Sequence, residues 1–216
     1  MQVSGLLSLM GNLSLGNDNI TKEERTIFLQ YLNLAHLELY QVTANFNQDL
    51  LTHVTLANPA DSNQVQLPEI PYLVNSVYDL THKRQLHKVC LSEVIAKDLE
   101  QDPLSNNTGH PTQYFVQKDI LQFVPVQTAI TSIKIWYVPQ PIILAESTPE
   151  QDIPYPLAYH PVLVDGALYY LFQEEGGFKN LQKAVDAKER WEVGQTKLLS
   201  YLYNASGAVL STFSSV

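Results

Sequence analysis

Between Thr21 and Val42 the apolar positions Phe28, Leu32, Ala35, Leu39 and Val42 recur at 4-3-4-3 spacing, which predicts one continuous stripe on an α-helix. Thr21 followed by Glu24 fits a capping box, and the acidic pair Glu23 and Glu24 suits the positive end of the helix dipole. Ile27, Leu29, Tyr31, Leu34 and Leu37 widen the stripe beyond one face, so the helix needs partners on two sides. From about residue 46 the pattern changes. An extended apolar run and a proline-bearing polar loop fill 46–70. YLVNSVYDL and QLHKVCL then flank THKR as a predicted hairpin. A short helix is expected from Ser92, with Ser92 as its N-cap. The runs TQYFVQ, ILQFVPV and SIKIWYVP read as strands. In the last of these, Ile133, Ile135 and Tyr137 alternate with Ser132, Lys134 and Trp136.

A proline-rich connector then leads to YHPVLVDGALYYLFQEEGG, a helix with Pro161 in its first turn and Gly176-Gly177 as its stop signal. A last helix, roughly Phe178 to Tyr203, places Leu181, Ala184, Trp191, Leu198 and Leu202 on one stripe. Gly194 interrupts it at a cost of about 1 kcal/mol, which a close helix crossing or a local bend would explain. The order of elements predicts an α+β protein: a helical bundle body with an inserted antiparallel β-sheet domain. The expected divisions are 1–45 plus 150–204 for the body, 46–149 for the β-rich insertion with one short helix, and 205–216 for a C-terminal docking tail.

Composition narrows the function classes. The chain has 216 residues, 45% of them hydrophobic, enough for a sizeable core. A net charge of −9 argues against general nucleic-acid binding, which needs a basic face. The single cysteine, Cys90, excludes an internal disulfide and is expected to be a small core residue. The apolar opening MQVSGLLSLMGNLSLG has no Lys or Arg ahead of it, so it reads neither as a secretory signal nor as a bilayer span. A soluble, intracellular protein at synthesis is therefore expected.

The chemical candidates are few. His160 and Asp165 stand five apart, about 140° around a helix, and cannot easily share a ligand. Asp165 reads as an interface or capping group, while Glu174 and Glu175 should face solvent. The histidines at 36, 53, 82, 87, 110 and 160 have no metal-binding spacing, and His36 reads as a hydrogen-bonded structural residue. HKRQLHK at 82–88 is the one dense basic patch. It reads as a solvated hairpin tip, with contact to an acidic partner or to phosphates as the sharper alternative. No catalytic residue, metal ligand or cofactor site is assigned, and no cofactor is expected.

The run TQYFVQKDILQFVPVQTAITSIKIWYVPQP followed by LAYHPVLVDGALYYL resembles head–tail connector (adaptor) proteins of tailed bacteriophages. The likeness rests on Tyr114 and Phe115, then Leu121, Phe123 and Pro125, then Ile133, Ile135, Tyr137, Pro139 and Pro141, and finally His160, Pro161, Gly166 and Ala167. YLNLAHLELY is similar in character to the family's N-terminal helix, so the likeness spans about 21–203. The long segment 46–70 departs from it. The resemblance implies no enzyme but a ring of about twelve copies beneath the portal protein, bridging the capsid vertex to a tail or nozzle protein. Its location would be the virion head–tail junction, and DNA would pass through without sequence-specific binding.

Three residue-level expectations accompany it. Helices apolar on more than one face suit lateral packing in a ring, with Leu168 among the outward positions. An acidic chain suits a DNA conduit. The uncharged tail ASGAVLSTFSSV, through Val209, Leu210, Phe213 and Val216, is expected to order on the portal or an adjacent subunit, the alternative being a frayed end. Two rivals stand beside this reading. One is a binding module presenting Tyr114, Trp136 and Tyr137 to carbohydrate or peptide. The other is a hydrolase whose acidic and histidine groups converge only on folding.

Overall fold

A computed structural model describes residues 2–17, 19–92, 109–125, 129–174 and 177–205. Among these the chain is α+β, with four α-helices and a seven-stranded sheet. It divides into two compact units, 1–49 with 141–216 and 50–140.

The first unit holds the helices. α1 (Val3–Leu15) is not among the expected elements. It has no side-chain cap. Instead, the N–H groups of Val3 and Ser4 donate to the carbonyls of Thr148 and Glu146, far along the chain. Gly16, at φ 69°, closes it in the left-handed conformation that glycine tolerates. α2 (Lys22–Thr43) has the expected capping box, with Thr21 Oγ1 accepting from Glu24 N–H and Glu24 Oε2 from Thr21 N–H. Phe28, Leu32, Ala35 and Leu39 are buried as expected, but Val42 is exposed, and Tyr40 and Thr43 are buried in its place.

The connector after residue 140 runs along α2. Asn33 clamps it by accepting from Leu144 N–H at 2.7 Å and donating to Leu144 C=O at 3.0 Å. α3 (His160–Gln173) begins with Pro161 in its first turn, and Gln173 is its last residue, ahead of Gly176-Gly177. There the chain turns extended at Glu174, and the Phe172 carbonyl accepts from Asn180 N–H. α4 (Leu181–Ala205) follows, with the Asn180 side chain accepting from Lys183 N–H. Ala184, Trp191, Leu198 and Leu202 are buried as expected, whereas Leu181, at the first turn, is 65% exposed.

α3 is the central helix. It packs against α1, α2 and α4, and nine of its residues are buried, Leu168 among them. The expectation that Leu168 points outward is therefore corrected, because α1 covers the face that looked spare. One apolar cluster links the four helices through Leu6, Leu7 and Met10 of α1, Phe28 and Leu32 of α2, Leu163 and Leu168 of α3 and Trp191 of α4. Truncating one such leucine to alanine costs about 2–5 kcal/mol.

The second unit is the sheet, in the order β1-β7-β3-β4-β5-β6-β2. Its strands are β1 (Thr52–Asn58), β2 (Gln64–Gln66), β3 (Leu73–Asp79), β4 (Arg84–Lys88), β5 (Gln113–Gln117), β6 (Ile120–Val124) and β7 (Thr131–Val138). The β3–β4 hairpin forms as expected, pairing Val77 with Leu86 and Asp79 with Arg84. β5, β6 and β7 match the three predicted runs, and Ile133, Ile135 and Tyr137 of β7 are buried. Segment 46–70 supplies β1 and β2, which flank the sheet at its two ends. The sheet is not wholly antiparallel, because β4 and β5 pair in parallel through His87 with Gln113 and Lys88 with Tyr114. The connection over 89–112 has the length a parallel crossover requires. The short helix expected from Ser92 falls mainly on 93–108, outside the described residues.

Candidate functional site

The polar candidates on α3 are each used to hold the fold. Pro161 and the turn before it bring His160 over the connector. His160 Nε2–H donates to the Tyr155 carbonyl at 2.9 Å, since a carbonyl can only accept. Nδ1 meets Glu150 Oε1 at 3.1 Å, and both side chains are buried. Both ring nitrogens are thus engaged, and neither is presented to a ligand. Asp165 accepts from Arg190 Nε at 2.7 Å, tying α3 to α4, so it is the interface group expected. Tyr170 donates to Glu38, tying α3 to α2. Its phenol is held well above the ordinary tyrosine range by burial first, then by that bond and the Glu38 charge. Glu174 is exposed, and Glu175 lies outside the described residues.

His36 is the buried structural residue expected. Its one polar neighbour is the Ile142 backbone, too poorly placed to make a well-formed hydrogen bond with either ring nitrogen. The ring packs edge-on against Tyr40 and Tyr155, with centroids 6.0 and 5.8 Å away. Burial lowers its pKa to about 4, partly offset by the Ile142 backbone. Burial also raises the Tyr155 phenol, against an opposing hydrogen bond with Thr43. This is a packed, neutral imidazole.

At the β3–β4 turn the anchor is Asp79, which the sequence reading passed over. Its carboxylate is fully buried and accepts from Thr81 N–H at 2.9 Å and His82 N–H at 3.1 Å. His82 Nδ1 lies 2.7 Å from its other oxygen, and the His82 ring lies against His110, with centroids 3.8 Å apart and the planes tilted by 44°. An Asp two residues ahead of a Thr in a turn was the available signal, since such carboxylates bind the backbone just ahead. Lys83 is exposed at the turn, as a solvated hairpin tip requires, and His87 and Lys88 are exposed on β4, but His82 and Arg84 are half-buried beside Asp79. Cys90 is exposed rather than in the core, because β4 has ended at Lys88 and the chain has left the sheet.

The aromatic residues of the binding-module rival do not form a platform. Tyr114 is buried, and Tyr137 is buried with its hydroxyl donating to Glu69 at 2.9 Å. Trp136 sits on the opposite face of β7, between His53 and the Lys134 ammonium. Grooves in the helical unit have no histidine among the described residues of their walls. One lies between Phe46 and the end of α4, one between Leu13, Leu168, Phe172 and Arg190, and one along Glu192, Val193, Thr196 and Lys197. Among the described residues no three of His, Cys, Asp and Glu converge as metal ligands, and no helix is long and apolar enough to cross a membrane. The tail residues Val209, Leu210, Phe213 and Val216 lie outside the described residues.

Several large apolar side chains remain outward. Leu34 and Leu37 of α2 are 44% and 41% exposed, and Ile143 of the connector is 86% exposed. Leu37, four residues after Asn33, shares the side of α2 on which Asn33 clamps the connector. Comparison with protein families matches residues 1–207 to SU10 adaptor protein. The chain belongs to that family. No curated protein matches it. The family points to a phage structural adaptor, which implies contact with other phage proteins. For this adaptor the relevant groups are therefore those left on the surface after the core and the polar clamps are complete.

Proposed function

We propose that this adaptor is a virion protein of the head–tail junction. Its copies form a ring of about twelve that joins the portal vertex to a tail or nozzle protein and continues the DNA channel. In this reading 1–45 with 150–204 make a helical bundle body, 46–149 the β-rich insertion, and 205–216 a tail that docks on the portal through Val209, Leu210, Phe213 and Val216. The observation that carries it is the outward apolar set of Leu34, Leu37 and Ile143, on a unit whose central helix already packs against the three others. Residues of that kind gain by meeting another subunit, at about 25 cal/mol per Å² removed from water. The net charge of −9 supports a conduit from which DNA is repelled.

The test is truncation after Asn204. The shortened chain keeps its circular dichroism spectrum and a cooperative melt, but no longer attaches to its portal in a co-sedimentation assay. Attachment equal to that of the full chain would remove the tail from the proposal. Absence of any ring on the portal by electron microscopy of the full chain would remove the ring.

A further inference from the structure

β1 ends the sheet on one side and lacks the usual protection of an edge. Edges are blunted by short strands, charged side chains, proline or a bulge, because a row of unpaired N–H and C=O groups invites another strand. The opposite edge, β2, is three residues long, and its Gln66 side chain is held by Asp119 at 3.1 Å. β1 runs for seven residues, pairs with β7 in unbroken register, and contains no Asp, Glu, Lys, Arg or Pro. Among the described residues, 52–57 make backbone hydrogen bonds only within the ladder to β7, so their other edge is free.

The side chains of β1 say what would suit that edge. Val54 and Leu56 face the core opposite Ile135 and Ile133, which are fully buried, yet both remain half-exposed. The core is open at this end, and a further strand with apolar residues inward would close it. On the outer face His53 lies against Trp136, with ring centroids 4.6 Å apart, and the Lys134 ammonium sits 4.7 Å from the centre of the indole ring. Thr55, opposite Lys134, is short. No Asp or Glu of β1, β7 or β3 shares this face, although the chain holds 22 of them. Asp79 of β3 is opposite Ile133, on the core face.

We propose that the free edge of β1 takes up an extended segment of another phage protein as an added strand. Its apolar residues face Val54 and Leu56, and its alternate residues are carboxylates on the outer face beside Thr55. The backbone bonds supply attachment and the alternation supplies selectivity. An added strand lies about 10 Å from β7, at about 4.8 Å per strand, a gap that Lys134 and a glutamate bridge over Thr55. A second copy of β1 fits less well, because two such edges would bring two Lys134 groups to one face and no carboxylate. The contact does not depend on the ring and would stand for a single subunit.

The probe is a nine-residue peptide alternating glutamate and valine, titrated into the full chain and followed by tryptophan emission. Trp191, the other of the two tryptophans, is buried, so the change reports on Trp136. The expected result is saturable binding with a dissociation constant below about 100 µM. The same peptide with lysine for glutamate, or N-methylated at every residue, binds more weakly by about tenfold or more. The first loses the charge match and the second the ladder. Lys134→Glu reverses the preference between the glutamate and lysine peptides, with the circular dichroism spectrum unchanged. Absence of saturable binding up to about 1 mM peptide, or equal binding of either control peptide, overturns the proposal. A chain that instead dimerises, and is returned to a monomer by Leu56→Lys, would assign the edge to a second copy and overturn it as well.

Discussion

Gly166 of α3 lies against the indole of Trp191 of α4, so that a Cβ added to the glycine would come within 2.7 Å of Trp191 Cε3 and Cζ3. The reverse relationship occurs further along, where a Cβ on Gly194 of α4 would come within 2.7 Å of Val162 Cγ2. The two helices cross closely because each supplies a glycine under a bulky side chain of the other. This accounts for Gly194 inside α4. Gly166→Ala gains roughly 1 kcal/mol of helix propensity but forces a buried indole to move, and overpacking costs about 1–3 kcal/mol. The expected net result is a lower urea midpoint at unchanged helix content. A midpoint at or above that of the parent would contradict the close crossing.

His36 makes the helical unit acid-sensitive. Unfolded, its imidazole titrates near 6.5, whereas burial holds it at about 4 in the folded protein. Between those values the unfolded chain binds more protons, so the His36 contribution is fully present above pH 6.5 and is lost as pH falls toward 4. The difference amounts to about 3 kcal/mol. His36→Leu cannot titrate. Urea midpoints at pH 7 and pH 4.5 should therefore fall less in this variant than in the parent. Equal falls in the two proteins would show that His36 is protonated in the fold.

Asp79 ties the β3–β4 turn from beneath, with both carboxylate oxygens engaged. Asp79→Ala leaves the Thr81 and His82 amides without their buried acceptor, a loss of about 1–3 kcal/mol. Hydrogen exchange at residues 80–86 should accelerate before that of β7. Unchanged protection there would mean that the turn is held by its strands alone.

The legible parts of this fold are those whose determinants are local. The capping box of Thr21 and Glu24, the THKR turn and the alternation in β7 each lie within a few residues. α1 was not legible, although Val3, Leu6, Leu7 and Met10 follow helical spacing, because glycines and serines weaken its propensity and its cap comes from residues 146 and 148. Missing α1 had a further consequence. It made α3 look as though it had a spare apolar face, and it turned Leu168 outward when it is in fact buried. The parallel β4–β5 pair depends on a crossover whose direction no local pattern encodes. The grouping of Asp79 with His82 and His110, and of Phe46 with Tyr203, required the folded chain. The residue types at a surface can be read from a sequence. Which of them remain uncovered depends on every other element.

That distinction decides where to disturb assembly. Leu168→Asp buries an unpaired carboxylate in the core and should unfold the helical unit, so it cannot report on a subunit interface. Leu37 is 41% exposed beside the clamped connector, and Leu37→Asp leaves the core and the Asn33 clamp intact. The isolated variant should melt within a degree or two of the parent. If neighbouring subunits meet at Leu34, Leu37 and Ile143, each repeated interface would then bury a lone carboxylate at a cost of several kcal/mol. Ring formation on the portal, followed by electron microscopy, should be lost. Rings forming as readily as in the parent would move the lateral contact elsewhere, with the exposed Val185 and Val193 of α4 the next positions to charge.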